Sequence, residues 1–85
     1  MLRVLVVDDH PLIRKGLRQI LVESVHIGHV EEAENGFQAI EAVRRERFDV
    51  VVLDISLPGK DGMEVLREIK ELVPDLPILM LSIQP

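Results

Sequence analysis

Four short apolar runs alternate along this chain with three segments whose apolar residues recur every three or four positions. The runs at about Arg3–Val7, Val30–Ala33, Val50–Leu53 and Ile78–Leu81 are rich in β-branched residues and too short for helices, so they predict buried strands. Pro11 opens the first helical segment, its fixed φ and missing N–H suiting a first turn. There Ile13, Leu17, Ile20 and Leu21 form the predicted inward face, with Arg14, Lys15, Arg18 and Glu23 elsewhere. Asn35-Gly36 signals the start of a second helix reaching about Arg45, with Ile40 and Val43 inward. The third runs from about Met63 to Leu72. Val65, Leu66, Ile69 and Leu72 make its apolar stripe, and Glu64, Arg67, Glu68, Lys70 and Glu71 its wet face. Ser24–Gly28 reads as a connection, Ile55–Gly62 as a loop turned by Pro58-Gly59, and Pro74 and Pro77 end the last helical pattern. Phe37 and Phe48, the only aromatic residues, are expected to pack.

The order βαβαβαβ predicts an α/β fold, a parallel sheet with right-handed crossovers and helices on both faces. Ile78–Leu81 is as apolar as the run before it, and natural sheet edges are short, charged or covered. The expectation is therefore a sheet that continues beyond strand four, in a chain cut rather than finished. Strand four, left as an exposed edge, would invite self-association.

Two of the runs end in carboxylates. The first stops at Asp8-Asp9 and the third at Asp54. Ligands of open α/β sheets bind just beyond the carboxyl ends of the strands. Three carboxylates gathered there repel one another unless a cation offsets their charge. Asp8 and Asp9 suit Mg²⁺, which takes one or two carboxylates and keeps several waters. Asp54 is then the candidate nucleophile, since a carboxylate can attack phosphorus to form an acyl phosphate. Asp-Asp before a helix also suits a plain N-terminal cap, but Asp54 on the neighbouring strand favours the metal. Ser82 follows strand four and could give its hydroxyl to a phosphoryl oxygen at the same edge. A turn or capping serine is its plainer reading. Ser56 stands two residues past Asp54, where a backbone carbonyl could turn toward the ion, and Asp61 could cap the third helix.

His10 adjoins the acidic pair, but a hard oxygen site gains little from imidazole, so a place beside the ligands or in solvent is expected. His26 and His29 have no acidic or cysteine partner at ligand spacing. Glu31-Glu32-Ala33-Glu34 reads as a solvated strand end.

At 85 residues the chain makes one small domain, and 47% apolar content is enough for a core. Its net charge of −5 argues against binding nucleic acid directly. The absence of cysteine removes disulfides and thiol chemistry and suits a reducing cytosol. No basic leader opens the chain, and no apolar run approaches the roughly 20 residues of a membrane span. A soluble, cytoplasmic protein is expected.

Val4-Leu5-Val6-Val7-Asp8-Asp9-His10-Pro11, Glu32-Ala33-Glu34-Asn35-Gly36, Val51-Val52-Leu53-Asp54-Ile55-Ser56-Leu57-Pro58-Gly59-Lys60-Asp61-Gly62 and Pro77-Ile78-Leu79-Met80-Leu81-Ser82 together resemble the receiver domain of bacterial response regulators. The resemblance covers residues 1–85. The Asp-Asp-His-Pro start is similar to the subgroup with a LuxR-type helix-turn-helix output domain. The resemblance implies a flavodoxin-like fold with strand order 2-1-3-4-5. It implies that Asp54 takes phosphate from a sensor histidine kinase and that Asp8, Asp9, Asp54 and the Ser56 carbonyl hold Mg²⁺. It also implies that the Ser82 hydroxyl acts as a switch, and that DNA is reached only through an output domain outside this chain.

The family's fifth strand, two further helices, phosphoryl-pairing lysine and switch aromatic have no counterpart among these residues. Lys60 and Lys70 do not match that lysine, so the chain reads as the first two-thirds of a receiver. Two alternatives stand beside the signalling reading. One is a Mg²⁺-dependent phosphatase with an aspartyl nucleophile, disfavoured because Ser56 replaces the second acid such enzymes want. The other is an association fragment unable to switch.

Overall fold

The structure, a computed structural model, describes residues 1–82. Residues 83–85, the end of the span expected for the domain, lie outside the described residues. Seven elements follow one another: β1 (Leu2–Val7), α1 (Pro11–Val22), β2 (Ile27–Ala33), α2 (Gly36–Arg45), β3 (Val50–Asp54), α3 (Gly62–Leu72) and β4 (Ile78–Leu81). The four strands form one parallel sheet in the order β2-β1-β3-β4. This is the first part of the expected order. The direction of winding reverses at β1, so the switch point lies at the carboxyl ends of β1 and β3, where the acidic residues are.

Alternation along the strands sends side chains to two cores. Leu5, Val7, Val51 and Leu53 meet Ala39, Ala42 and Val43 of α2 and Val65 and Ile69 of α3. Val4, Val6, Val30 and Val52 face the other way, toward Leu17 and Leu21 of α1. β1 and β3 are thus buried on both faces, which is why their runs lack polar alternation. Full burial of a Val, Leu or Ile side chain contributes about 1.5–3 kcal/mol. Leu5, Leu53 and Ile69, all fully buried, therefore bind β1, β3 and α3 into one unit.

Two helix starts are capped as their sequences suggest. Asn35 Oδ1 accepts from Gln38 N at 2.8 Å, and Asp61 Oδ1 accepts from Met63 N at 2.8 Å and Glu64 N at 3.1 Å. α1 differs. Its N-cap is His10, which makes no side-chain capping bond to the helix, so the acidic pair is not the cap of this helix.

Several expectations are corrected. β2 begins at Ile27, not Val30, because the ladder skips Gly28, pairing Leu2 with Ile27 and Arg3 with His29. An irregular register of that kind has no period-2 signature. Ile20 is 68% exposed and does not share the inward face. Leu17 and Leu21 define the centre of that face, and at 3.6 residues per turn Ile20 lies roughly 80° from it while Arg14 lies only roughly 40° away. Leu72 is exposed at the end of α3. Phe48 packs, but Phe37 is 66% exposed at the start of α2, with Lys60 Nζ 5.4 Å from its ring centre. The acidic strand end is paired rather than merely solvated: Glu32 meets Arg14 and Arg18, and Glu31 meets His29 and Arg45.

Candidate metal centre at the carboxyl edge of the sheet

β1 and β3 are neighbours in register, Val7 beside Leu53, so the residues just past them meet. One ligand atom each from Asp8, Asp9, His10 and Asp54 falls within a cluster of 4.8 Å. Asp8 is 1% exposed and Asp54 3% exposed, burial that a charged carboxylate tolerates only with compensation.

Part of that compensation is local. The Asp8 N–H donates to Ala33 O at 3.1 Å, extending the β1–β2 ladder by one step. Asp8 Oδ1 accepts from His10 N at 2.8 Å and meets His10 Nδ1 at 2.7 Å. Asp54 Oδ1 accepts from Ser56 N at 3.0 Å. Asp8 Oδ2, Asp9 Oδ1 and Asp54 Oδ2 are buried and have no hydrogen-bond partner among the described residues. Three orphaned carboxylate oxygens on residues whose ligand atoms cluster within 4.8 Å are hard donors that fit a Mg²⁺-sized cation. His10 belongs to the same cluster. The hydrogen bond to Asp8, then the charge of Asp9, raise its pKa above the ordinary imidazole value.

The remaining expected residues sit at the same edge. Ser56 is exposed in the loop after β3, tied to Asp54 through its own N–H. Ser82 directly follows Leu81, the register partner of Asp54, and Ile55 N donates to Leu81 O at 3.0 Å. The loop between β3 and α3 closes tightly on Asp54. Gly62 N donates to Ile55 O at 3.1 Å, and a Cβ at Gly62 would lie 2.7 Å from Asp54 O. Gly59 carries φ +77°, the left-handed conformation a turn of this kind needs.

Lys60, not matched to the family's lysine on sequence, is engaged by α2 and α3. Its Nζ pairs with Glu68 at 2.9 Å and lies over Phe37, tying the loop to α2 and α3. His29 overturns an expectation: Nε2 lies 3.3 Å from Glu31 and 3.6 Å from Glu46. Glu31 is two residues along the same strand face, a period-2 relation, whereas Glu46 comes from the end of α2 and is invisible to local spacing. His26 gathers no acidic partner among the described residues and serves through its backbone. Sequence reading also missed Arg14. Nη1 donates to Asp8 O at 2.9 Å and Nε to Glu32 Oε1 at 2.9 Å.

The family description of the response regulator receiver domain matches residues 4–85. The chain is 42% identical over 83 residues to the response regulator UvrY of Escherichia coli K12, covering 98% of this chain and 38% of the length of that relative. It superposes on a LuxR-family two-component response regulator from Aurantimonas sp. SI85-9A1 with a TM-score of 0.91 at 32% identity, over 100% of this chain and 61% of that one. Against the response regulator TrrA of Thermotoga maritima, solved in complex with Mg²⁺-BeF, the TM-score is 0.88 at 41% identity, over 96% of this chain and 70% of that one. The sheet order and these superpositions make the fold flavodoxin-like.

Proposed function

Because the chain belongs to the response regulator receiver domain family, we propose that it accepts a phosphoryl group on Asp54 from the phosphohistidine of a sensor histidine kinase. Asp8 and Asp9, with Asp54 and the backbone carbonyl of Ser56, hold Mg²⁺. The observation that carries this reading is the clustering, at the ends of β1 and β3, of three carboxylates that each keep a buried oxygen without a hydrogen-bond partner among the described residues.

Ser56 N donates to Oδ1 of Asp54 and orients the carboxylate, which is the attacking group. An O–P bond forms there as the P–N bond to the kinase imidazole breaks, and the imidazole leaves as the neutral base after taking up a proton. Mg²⁺, when bound, supplies charge that offsets the negative charge of the transferring group. The Ser82 hydroxyl then donates to a phosphoryl oxygen, and its movement signals outward. The similar LuxR-family regulator supports an output that binds DNA through a helix-turn-helix domain outside residues 1–85. The cytoplasm, where histidine kinases phosphorylate their regulators, is the compartment this reading requires.

Phosphatase turnover is the weaker reading, because Ser56 offers no acid two residues past Asp54 and its N–H is already engaged by the nucleophile. Incubation of the full-length protein with acetyl phosphate and Mg²⁺, followed by intact mass and peptide mapping, tests the proposal. One phosphoryl group on Asp54, lost in Asp54→Asn, is expected. Modification that survives Asp54→Asn, or continuous release of free phosphate from general phosphomonoesters, overturns it.

A further inference from the structure

The backbone of Asp8 is held on both sides, by β2 at its N–H and by α1 at its carbonyl. The Asp8 N–H donates to Ala33 O. The Asp8 carbonyl accepts from Arg14 Nη1 at 2.9 Å, while Nε of the same guanidinium donates to Glu32 Oε1 at 2.9 Å. Glu32 directly precedes Ala33 in β2 and pairs in register with Val6. Its second oxygen lies 3.4 Å from Arg18 Nε. Arg14 is the least exposed of the paired cationic side chains, at 11%. An exposed pair would contribute little. A sheltered guanidinium fork on two acceptors fixes both in one geometry.

That geometry matters because α1 begins at His10 without a side-chain cap. The turn from Asp8 to His10 is therefore held by Asp8's own hydrogen bonds and by Arg14. Since a peptide unit is planar, fixing the Asp8 carbonyl also fixes the direction in which Asp9 leaves it. We propose that Arg14, braced by Glu32, is a positioning residue that holds the Asp8–Asp9 peptide so that both carboxylates face the cation. The inference rests on the reading of Asp8 and Asp9 as Mg²⁺ ligands.

Charge alone predicts the opposite sign. A fixed cation near the carboxylates repels a metal ion, so removing it would tighten binding. Positioning predicts weaker binding both when the fork is lost and when the charge is kept without the fork.

The test uses Mn²⁺ as the probe, with free ion measured by electron paramagnetic resonance against the full-length protein. Arg14→Met and Arg14→Lys should each weaken binding about tenfold, the usual cost of removing a partner that orients a ligand. Glu32→Gln should weaken it in the same direction, and Arg67→Met on the wet face of α3 should leave it unchanged. The amide resonances of Asp9 and His10 should shift in all three site variants. A merely structural role lowers the melting temperature but leaves the affinity of the folded protein intact. Should Arg14→Met not fold, Arg14→Lys and Glu32→Gln still decide. Wild-type affinity in both of those, or tighter binding in Arg14→Met, overturns the proposal. Failure of the wild type to bind Mn²⁺ at all would instead overturn the metal centre.

Discussion

His10 Nδ1 lies 2.7 Å from Oδ1 of Asp8, and the same nitrogen is 3.2 Å from Asp9 and 3.7 Å from Asp54. The imidazole thus stands over the carboxylates that suit a divalent ion. A protonated ring and a metal ion offset the same negative charge, so they compete.

The sign of the pH dependence follows. Hydrogen bonding to Asp8 and the charge of Asp9 raise the pKa of His10. Its proton therefore contributes stability fully below the unfolded imidazole value of about 6.5, and that contribution is lost as pH rises through the higher folded value. Mg²⁺ binding should strengthen across the same window, by at most about tenfold per pH unit, and then level off. His10→Ala should bind more tightly than wild type at acid pH and show a flatter profile. An NMR titration of the His10 ring with and without Mg²⁺ checks this. A ring pKa indifferent to the ion would show that the two do not share the site.

Asp54 is buried beside Asp8, and each carries an oxygen with no hydrogen-bond partner among the described residues. Asp54→Asn removes one charge and keeps an acceptor for Ser56 N. In metal-free buffer the variant should be more stable than wild type by about 1 kcal/mol. Adding Mg²⁺ should then stabilise wild type more than the variant. Denaturant melts in both buffers measure the two differences, and a variant less stable in metal-free buffer contradicts the electrostatic account.

Two glycines should respond to alanine with opposite signs. A Cβ at Gly62 would meet Asp54 O, Ile55 Cα and Ile55 O, each at 2.7 Å, and backbone cannot move aside as a flexible side chain can. Gly62→Ala should cost about 3 kcal/mol. A Cβ at Gly16 meets nothing within 4 Å inside α1. Gly16→Ala should stabilise by roughly 0.5–1 kcal/mol. Urea denaturation of the two variants reads both. Equal effects would mean that the tight closure behind Asp54 is not a constraint.

The acidic centre was legible because it depends on strand ends. β1 and β3 are apolar on both faces, their last residues are carboxylates, and a parallel sheet brings such ends together. Arg14 and Ile20 were misread for one reason: apolar character and position on the helix disagree. Arg14 turns closer to the centre of the sheet-facing side than Ile20 does, and a long side chain there reaches back to Asp8 and Glu32. The partners of His29 and Lys60 come from elements distant in sequence, Glu46 at the end of α2 and Phe37 at its start. No local periodicity encodes those meetings.

β4 is at the edge of the described sheet. Val51 and Ile55 donate to the carbonyls of Pro77 and Leu81, so the alternate residues Ile78 and Met80 turn their N–H and C=O groups away from β3. Leu79 is 56% exposed, and Ile78–Leu81 contains neither a charge nor a proline to discourage pairing. An edge of that composition is a template for another strand. Residues 1–85 prepared on their own should therefore self-associate through β4. Sedimentation velocity at several concentrations should show a concentration-dependent mass. Hydrogen exchange at Ile78 and Met80 should slow as concentration rises, since those amides gain partners only in the associated form. Leu79→Lys, which puts a charge on the strand without touching the carboxylate centre, should shift the chain toward monomer. A monomer at every concentration, with exchange at Ile78 and Met80 unchanged, would show that this edge does not pair.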